Sequence, residues 1–529
     1  MANRDYGAAV AALNTLQSNF AIVDAIRKSG RGMNKQAIPE MIEWCRKIGY
    51  EPSDFDRLKP IHIAGTKGKG STSAFVSSIL SQYLPASSTS PPTPASPRGP
   101  SKIGLYTSPH LRCVRERIQI NNTPISEPLF AKYFFEVWDR LEEAAKTANT
   151  SPETPTKPVY FRYLTLMAFH AYLSEGVDAA VIECGIGGEY DSTNVICRPT
   201  VTAVTSLGID HTAMLGSTLP EIAWHKAGVF KEGVVAITAP QAEEALEVLK
   251  KRAEEKGARL RQVDVHPALA SEEVKLGLAG HFQKVNASVA IAVAATHLRA
   301  LGHDDIEDPL EVSNIQLPQE FVCGLEQVNW PGRCEIRRER GVAWYIDGGH
   351  TMESIEVTGR WFAEQIKTTG SETSDSPHRI LIFNQQTRDA NALVKGLYEA
   401  LVTGMRSESG LKRIFGHVIF CTNKTYTSGY KPDLVSINTN QGEVDELSVQ
   451  RALGKAWDEI DPSCTVSIHS SIEDAVQAAR KQARVWQSEA GDGVGEGYEV
   501  PVLITGSLHL VGGAIDVLEN KDIRLDSGS

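Results

Sequence analysis

The stretch Gly65–Ser71, GTKGKGS, combines what a bound phosphate asks of a protein: backbone that can turn tightly and a mobile positive charge. An apolar run, Ile61–Ala64, enters it as a strand, and small residues leave it as a helix over Ser71–Tyr83. That order points backbone N–H groups of the helix start into the turn, where Gly68, Gly70 and Ser71 offer amides and Lys69 the cation. The spacing is tighter than the full phosphate-loop pattern, with two fewer residues between Gly65 and the Gly68-Lys69 pair.

Further polar groups stand at the ends of other apolar runs. Ala179–Cys184 reads as a buried strand carrying Glu183 near its C-terminal end, followed by Gly185, Gly187 and Gly188. A carboxylate there is costly unless paired, so it points to a metal or a charge network. Ile103–Tyr106 delivers Thr107, Ser108, Pro109 and His110, and Val201–Ser206 delivers Asp210-His211. A helix over Leu219–Ala227 carries Lys226 beside Trp224 and His225, and Asn286 stands near the start of a small-residue helix, Ala287–Ala295, where it caps the helix or reads an adenine edge. Arg112, Arg115 and Arg117 fall close together, as a solvated loop or as a receiver of carboxylates. Arg333, Asp347-Gly348-Gly349-His350 and Gly506-Ser507-Leu508-His509 place similar groups around strands of a second array.

The elements that must position these groups alternate strand and helix, the signature of an open α/β sheet. A large domain over 1–329 and a smaller Rossmann-like domain over 330–529 are expected, the latter built on Val342–Ile346, Arg379–Phe383, His417–Cys421, Cys464–Ile468 and Val500–Thr505, with a Gly512-Gly513 turn before Ala514–Leu518. It lacks a GxGxxG fingerprint and so carries no signal for a dinucleotide. Pro85–Pro100, rich in Pro, Ser and Thr, reads as a mobile insertion. Tyr6–Ile26 reads as an amphipathic helix, favoured over a cleaved targeting segment because Asp5 and Asp24 offset the basic Arg4, Arg27 and Lys28 around it. The formal net charge of -11 argues against a general nucleic-acid surface but leaves room for a local basic pocket. Eight scattered cysteines suggest neither a zinc site nor a disulfide framework, and no apolar run reaches transmembrane length.

Taken together and in order, GTKGKGS, TSPHL at Thr107–Leu111, ECGIGGEYDSTN at Glu183–Asn194, DHTAMLG at Asp210–Gly216, IAWHKAGVFK at Ile222–Lys231, HFQKVNA at His281–Ala287, WPGR at Trp330–Arg333, DGGHT at Asp347–Thr351 and TGSLHLVG at Thr505–Gly512 closely resemble the folylpolyglutamate synthase family of the Mur-ligase superfamily. The resemblance spans nearly the whole chain. It departs at Lys67, where many bacterial relatives have Asn, and at DGGH in place of the frequent DGAH; the first looks like the eukaryotic branch.

The resemblance implies a Mur-ligase-like fold, with a phosphate-loop ATPase domain, an open mainly parallel sheet and a smaller Rossmann-like domain whose closure assembles the site. It implies ATP-dependent addition of L-glutamate to the γ-carboxylate of tetrahydrofolate or of folylpolyglutamates, through an acyl phosphate, with release of ADP and phosphate. Dihydrofolate synthase, a bifunctional enzyme and an inactive nucleotide-dependent scaffold are the alternatives. Carried over by position, Gly68, Lys69, Gly70 and Ser71 resemble the phosphate turn, and Asn286, Arg333 and Asp347 resemble contacts to adenine, phosphate and ribose. Ser108, Glu183 and His211 match magnesium-binding positions, and Lys226 matches a lysine that is carbamylated in relatives. Lys69, Lys226, His211 and His350 are the catalytic candidates, with His350, Ser507 and His509 organising glutamate and Arg112, Arg115 and Arg117 attracting the folate tail. Mg²⁺, a monovalent cation, a monomeric state and a cytoplasmic location, with the mitochondrial matrix or inner membrane as a further site, complete the expectations.

Overall fold

Short apolar runs without alternation bury both faces, which is how strands of a parallel sheet read. In the computed structural model β1 (Ile61–Ala64), β2 (Ile103–Tyr106), β5 (Ala179–Glu183) and β6 (Val201–Val204) are buried at every residue. With β3 (Ile118–Ile120), β4 (Thr123–Pro124), β7 (Val235–Thr238) and β8 (Arg259–Gln262) they form one sheet in the order β4-β3-β2-β5-β1-β6-β7-β8. The β2–β3 and β3–β4 pairs are antiparallel and the rest parallel. The chain leaves β1 in one direction along the sheet, to β2, and later leaves β5 in the other, to β6. Their divergence marks the C-terminal ends of these strands as the place where open α/β sheets hold ligands.

The structure describes residues 4–17, 35–85, 99–147, 155–307, 316–339, 341–368, 378–386, 389–405, 413–427, 447–490 and 498–520. The chain divides into two units, one of residues 1–110, 114–277 and 281–329, the other of 111–113, 278–280 and 330–529. Most of the Pro85–Pro100 stretch, and the second half of the expected Tyr6–Ile26 helix, lie outside the described residues; the helix seen there is Tyr6–Thr15, capped by Asp5.

The first unit is held by an aromatic core. Phe55 stacks on Phe169 at 4.5 Å, and Phe134 meets Tyr163 at 5.0 Å. Each such ring contributes roughly 1.5–3 kcal/mol by burial. The helix Tyr160–Glu175 supplies much of this core and ends where Gly176 turns left-handed.

The second unit carries β9 (Glu335–Glu339), β10 (Val342–Ile346), β11 (Ile380–Phe383), β12 (His417–Cys421), β13 (Thr465–His469) and β14 (Val500–Thr505) in the order β13-β12-β11-β14-β10-β9. Only β9–β10 is antiparallel. Neither β8 nor β9 was expected from the sequence: RLRQ and EIRRE are edge strands, whose charged side chains hide the apolar signal.

The last helix corrects a second expectation. Gly512 and Gly513 are not a turn; they lie within a continuous helix, Leu508–Glu519. A Cβ on Gly512 would come within 2.0 Å of the Leu111 carbonyl oxygen, and one on Gly513 within 2.5 Å of Ile472, so the pair lets the helix pack closely. All eight cysteines are free thiols, and no helix among the described residues is long and apolar enough to cross a membrane.

Candidate active site

The phosphate turn leaves β1 and is pinned from below by β6. Thr66 and Lys67 donate their backbone N–H groups to the Ser206 carbonyl at 3.1 and 3.0 Å, and the Thr205 hydroxyl donates to the Lys67 carbonyl at 2.6 Å. Those two amides are therefore spent on the fold. The helix begins at Lys69, two residues earlier than the sequence predicts, with Gly68 as a left-handed cap at φ +85°. Its first intrahelical bond runs from Thr72 N–H to the Gly68 carbonyl at 2.8 Å, so the amides of Lys69, Gly70 and Ser71 have no partner within the helix.

Two lysines converge on one oxygen beside these amides. Lys69 Nζ donates to the Gly65 carbonyl at 3.0 Å, and Lys226 Nζ donates to the same oxygen at 2.8 Å. Lys226 is only 3% exposed, and burial, followed by repulsion from Lys69, lowers its pKa to about 7. Lys226 reaches the turn from the end of the helix Leu219–Lys226, whose start is fixed by a capping box between Thr218 and Glu221.

One strand away, β5 runs in register with β1 so that Glu183 lies opposite Ile63. Its carboxylate is 3% exposed and accepts the Ser108 backbone N–H at 3.0 Å, which brings Ser108 and Glu183 together. His211 is exposed, in a left-handed conformation at φ +51°, and caps the short helix Thr212–Leu215. Its neighbour Asp210 forms an ion pair with Lys67 at 3.5 Å, tying this loop to the phosphate turn. Among the described residues no three His, Cys, Asp or Glu side chains gather as a metal cluster. The donor types of Glu183 and Ser108, a buried carboxylate beside a hydroxyl residue, nevertheless suit a hard cation that draws its remaining ligands from phosphate and water.

Sequence reasoning passed over Asp191 as an individual residue, although it lies within the ECGIGGEYDSTN run. Its Oδ2 accepts the N–H groups of Gly185 and Ile186, both at 3.0 Å, and its Oδ1 accepts the Thr193 N–H at 2.9 Å and hydroxyl at 2.5 Å. Thr193 in turn meets His62 Nε2 at 2.8 Å. This buried set fixes the turn that follows Glu183 to the strand that precedes the phosphate turn.

Asn286 lies in the first turn of a longer helix than expected, Gln283–Ala300, and packs on Gly68. Its Nδ2 donates to Gln283 Oε1 at 2.8 Å, and Gln283 Nε2 donates to the Ser71 hydroxyl at 3.4 Å.

In the second unit the loops after β10 and β14 are joined by Gly506 N–H to the Gly349 carbonyl at 3.0 Å. Asp347 is wholly engaged in shaping them: it accepts Cys334 N–H at 2.9 Å, Gly349 N–H at 2.9 Å and the Thr358 hydroxyl at 2.6 Å. Gly348 N–H donates to the Gly332 carbonyl at 2.9 Å, which holds the WPGR loop and Arg333 beside the DGGH turn. His350 Nδ1 meets the Gly348 carbonyl at 2.8 Å, and Ser507 caps the last helix by accepting His509 N–H at 3.2 Å. The three candidate arginines each have a separate partner. Arg112 belongs to the second unit and pairs with Glu519, while Arg115 donates to the Ile125 carbonyl at 3.2 Å and Arg117 to His110 Nδ1 at 2.9 Å.

No family model matches the chain. It is 46% identical over 522 residues to folylpolyglutamate synthase of Neurospora crassa, covering 98% of this chain and 92% of the relative. It is 44% identical over 533 residues to folylpolyglutamate synthase of Saccharomyces cerevisiae, covering 99% and 89%. The fold is shared with Mycobacterium tuberculosis folylpolyglutamate synthase complexed with ADP, at a TM-score of 0.65 and 21% identity over 98% of this chain and 100% of that one. It is also shared with E. coli FolC in complex with DHPP and ADP, at a TM-score of 0.61 and 20% identity over 97% and 98%. With nearly half its residues identical across nearly its full length, this chain belongs to the folylpolyglutamate synthase family of ATP-dependent ligases.

Proposed function

We propose that the chain adds L-glutamate to the γ-carboxylate of tetrahydrofolate and its polyglutamates, with ATP activating that carboxylate as an acyl phosphate. The observation that carries this reading is the convergence of Lys69 and Lys226 on the Gly65 oxygen, beside helix amides without an intrahelical partner. The Lys69 ammonium and these amides call for an anion, a polyphosphate supplies it, and an anion there would also favour the charged form of Lys226.

Lys69 and the amides of Lys69, Gly70 and Ser71 hold the phosphates, and Lys69 stabilises the charge that develops as the terminal phosphoryl group leaves for the carboxylate. Glu183, Ser108 and His211 are the residues that would hold Mg²⁺, which when bound neutralises phosphate charge and orients it for transfer. Asp191 keeps the turn behind Glu183 in place. In the second unit Arg333 compensates phosphate charge, Asp347 acts from beneath the DGGH turn, and His350, Ser507 and His509 receive glutamate, whose amine attacks the acyl phosphate and expels inorganic phosphate. The protein contributes position and charge, so no covalent protein nucleophile enters.

Lys226, with its lowered pKa, offers the neutral amine that carbamate formation requires. Intact-mass measurement under conditions that keep the adduct tests this, and active enzyme containing only unmodified Lys226 would sink it. The reaction itself is tested by product mass after incubation with ATP, Mg²⁺, L-glutamate and either tetrahydrofolate monoglutamate or dihydropteroate. Successive additions to the former support the proposal; reaction on dihydropteroate alone selects addition of the first glutamate, and no acceptor-dependent product leaves a nucleotide-binding scaffold.

A further inference from the structure

We propose that Gln283 is a positioning residue that sets the base preference of the nucleotide site, by fixing which edge of the Asn286 amide faces the base. The inference rests on the reading of Asn286 as the adenine contact.

An asparagine amide presents a donor at one corner and an acceptor at the other, and a half-turn about its last bond exchanges them. In this chain the contact with Gly68 chooses between the states and Gln283 holds the chosen one. Asn286 Nδ2 donates to Gln283 Oε1 at 2.8 Å, which spends one of its two N–H groups and ties the nitrogen to that side. The oxygen lies over Gly68: an ideal Cβ there would stand 2.1 Å from Asn286 Oδ1 but 3.2 Å from Nδ2. A carbonyl oxygen over a Cα–H is favourable, whereas an NH₂ in its place would press hydrogen on hydrogen. Gln283 is itself held, fully buried, with Nε2 3.4 Å from the Ser71 hydroxyl in the first turn of the phosphate helix.

The fixed amide therefore offers Oδ1 as an acceptor together with the second Nδ2 hydrogen as a donor. That pair matches the adenine edge, where the 6-amino group donates and N7 accepts. A 6-oxopurine presents acceptors at both places, so Oδ1 would face another oxygen. The phosphates of the two nucleotides are identical, so the orientation of Asn286 acts on base preference and not on phosphate binding. The same chain of bonds reaches Ser71, so base recognition and the phosphate helix share one buried link.

The test is the dissociation constants of ATP and ITP, measured by calorimetry without folate or glutamate so that no turnover occurs. They are compared for the unmodified protein, Gln283→Met, Gln283→Glu and Asn286→Ala. The unmodified protein should prefer ATP by about ten-fold or more, the discrimination of one bidentate base contact. Gln283→Met removes the acceptor that holds Nδ2 and should collapse that preference several-fold by weakening ATP while leaving ITP nearly unchanged. Gln283→Glu keeps the acceptor and should retain the preference within about two-fold. A merely structural role for Gln283 would weaken both nucleotides together. Equal loss of both, no change in Gln283→Met, or loss of the preference in Gln283→Glu would each overturn the inference; the Glu variant decides alone should the Met variant fail to fold. Asn286→Ala separates the two levels: ATP binding unchanged there removes the adenine reading itself, whereas a loss there with Gln283→Met neutral removes only the role of Gln283.

Discussion

The two units each gather polar groups at the C-terminal ends of parallel strands, but they treat charge in opposite ways. At the end of β1 the first unit sets two lysines, Lys69 and Lys226, on one carbonyl oxygen, and burial together with their mutual repulsion lowers the Lys226 pKa to about 7. At the ends of β10 and β14 the second unit is internally satisfied: Asp347 accepts hydrogen bonds from Cys334, Gly349 and Thr358, and Ser507 caps a helix. The first arrangement is stabilised by what it binds. The second is a preformed frame whose stability owes little to ligand, and the contrast locates the demand for an anion in the first unit.

Mutations should separate these two characters. Lys69→Ala, which removes a cation placed where charge develops, should lower kcat by about 10²–10³-fold with little loss of thermal stability, measured by steady-state kinetics and calorimetry. Asp347→Ala should do the reverse in part, destabilising the protein by about 1–3 kcal/mol through the orphaned Cys334 and Gly349 amides, read by denaturant unfolding. A destabilised Lys69→Ala, or an Asp347→Ala variant of unchanged stability, would erase the contrast.

A third expectation follows from pH. Lys226 has a folded pKa of about 7 against an ordinary value of 10.5, so between these values the unfolded chain binds a proton that the folded chain does not. Stability of the nucleotide-free protein should therefore rise with pH across that window, and Lys226→Met should flatten the rise. The smallest effect belongs to Ser507→Ala, a lost helix cap costing about 1 kcal/mol. Its melting temperature should fall slightly while nucleotide affinity stays the same.

The sequence made the first unit's chemistry easier to read than the second's. A phosphate turn must place glycine and lysine within a few residues of one strand, so Gly68, Lys69 and Ser71 stood out together. Glu183 was legible because a carboxylate at the end of an apolar strand is too costly to bury without a partner or a metal. The partnership of Lys226 with Gly65 was not, since it joins residues 161 positions apart. Asp191 and Gln283 were hidden for a related reason: each acts by holding a neighbour, and side chains that position others carry no charge pattern or spacing of their own. Gly512 and Gly513 misled because glycine's use in close helix packing looks, in one dimension, like its use in a turn.

The most direct measurement of the central claim, that the phosphate turn is built to receive an anion, is proton uptake on ADP binding. It is obtained by calorimetry near pH 8.5 in CO₂-depleted buffers of differing ionisation enthalpy. An arriving anion should raise the Lys226 pKa from about 7 and draw a proton from solvent, an uptake present in the unmodified protein and absent in Lys226→Met. ADP binding with no proton uptake by the unmodified protein would contradict the account.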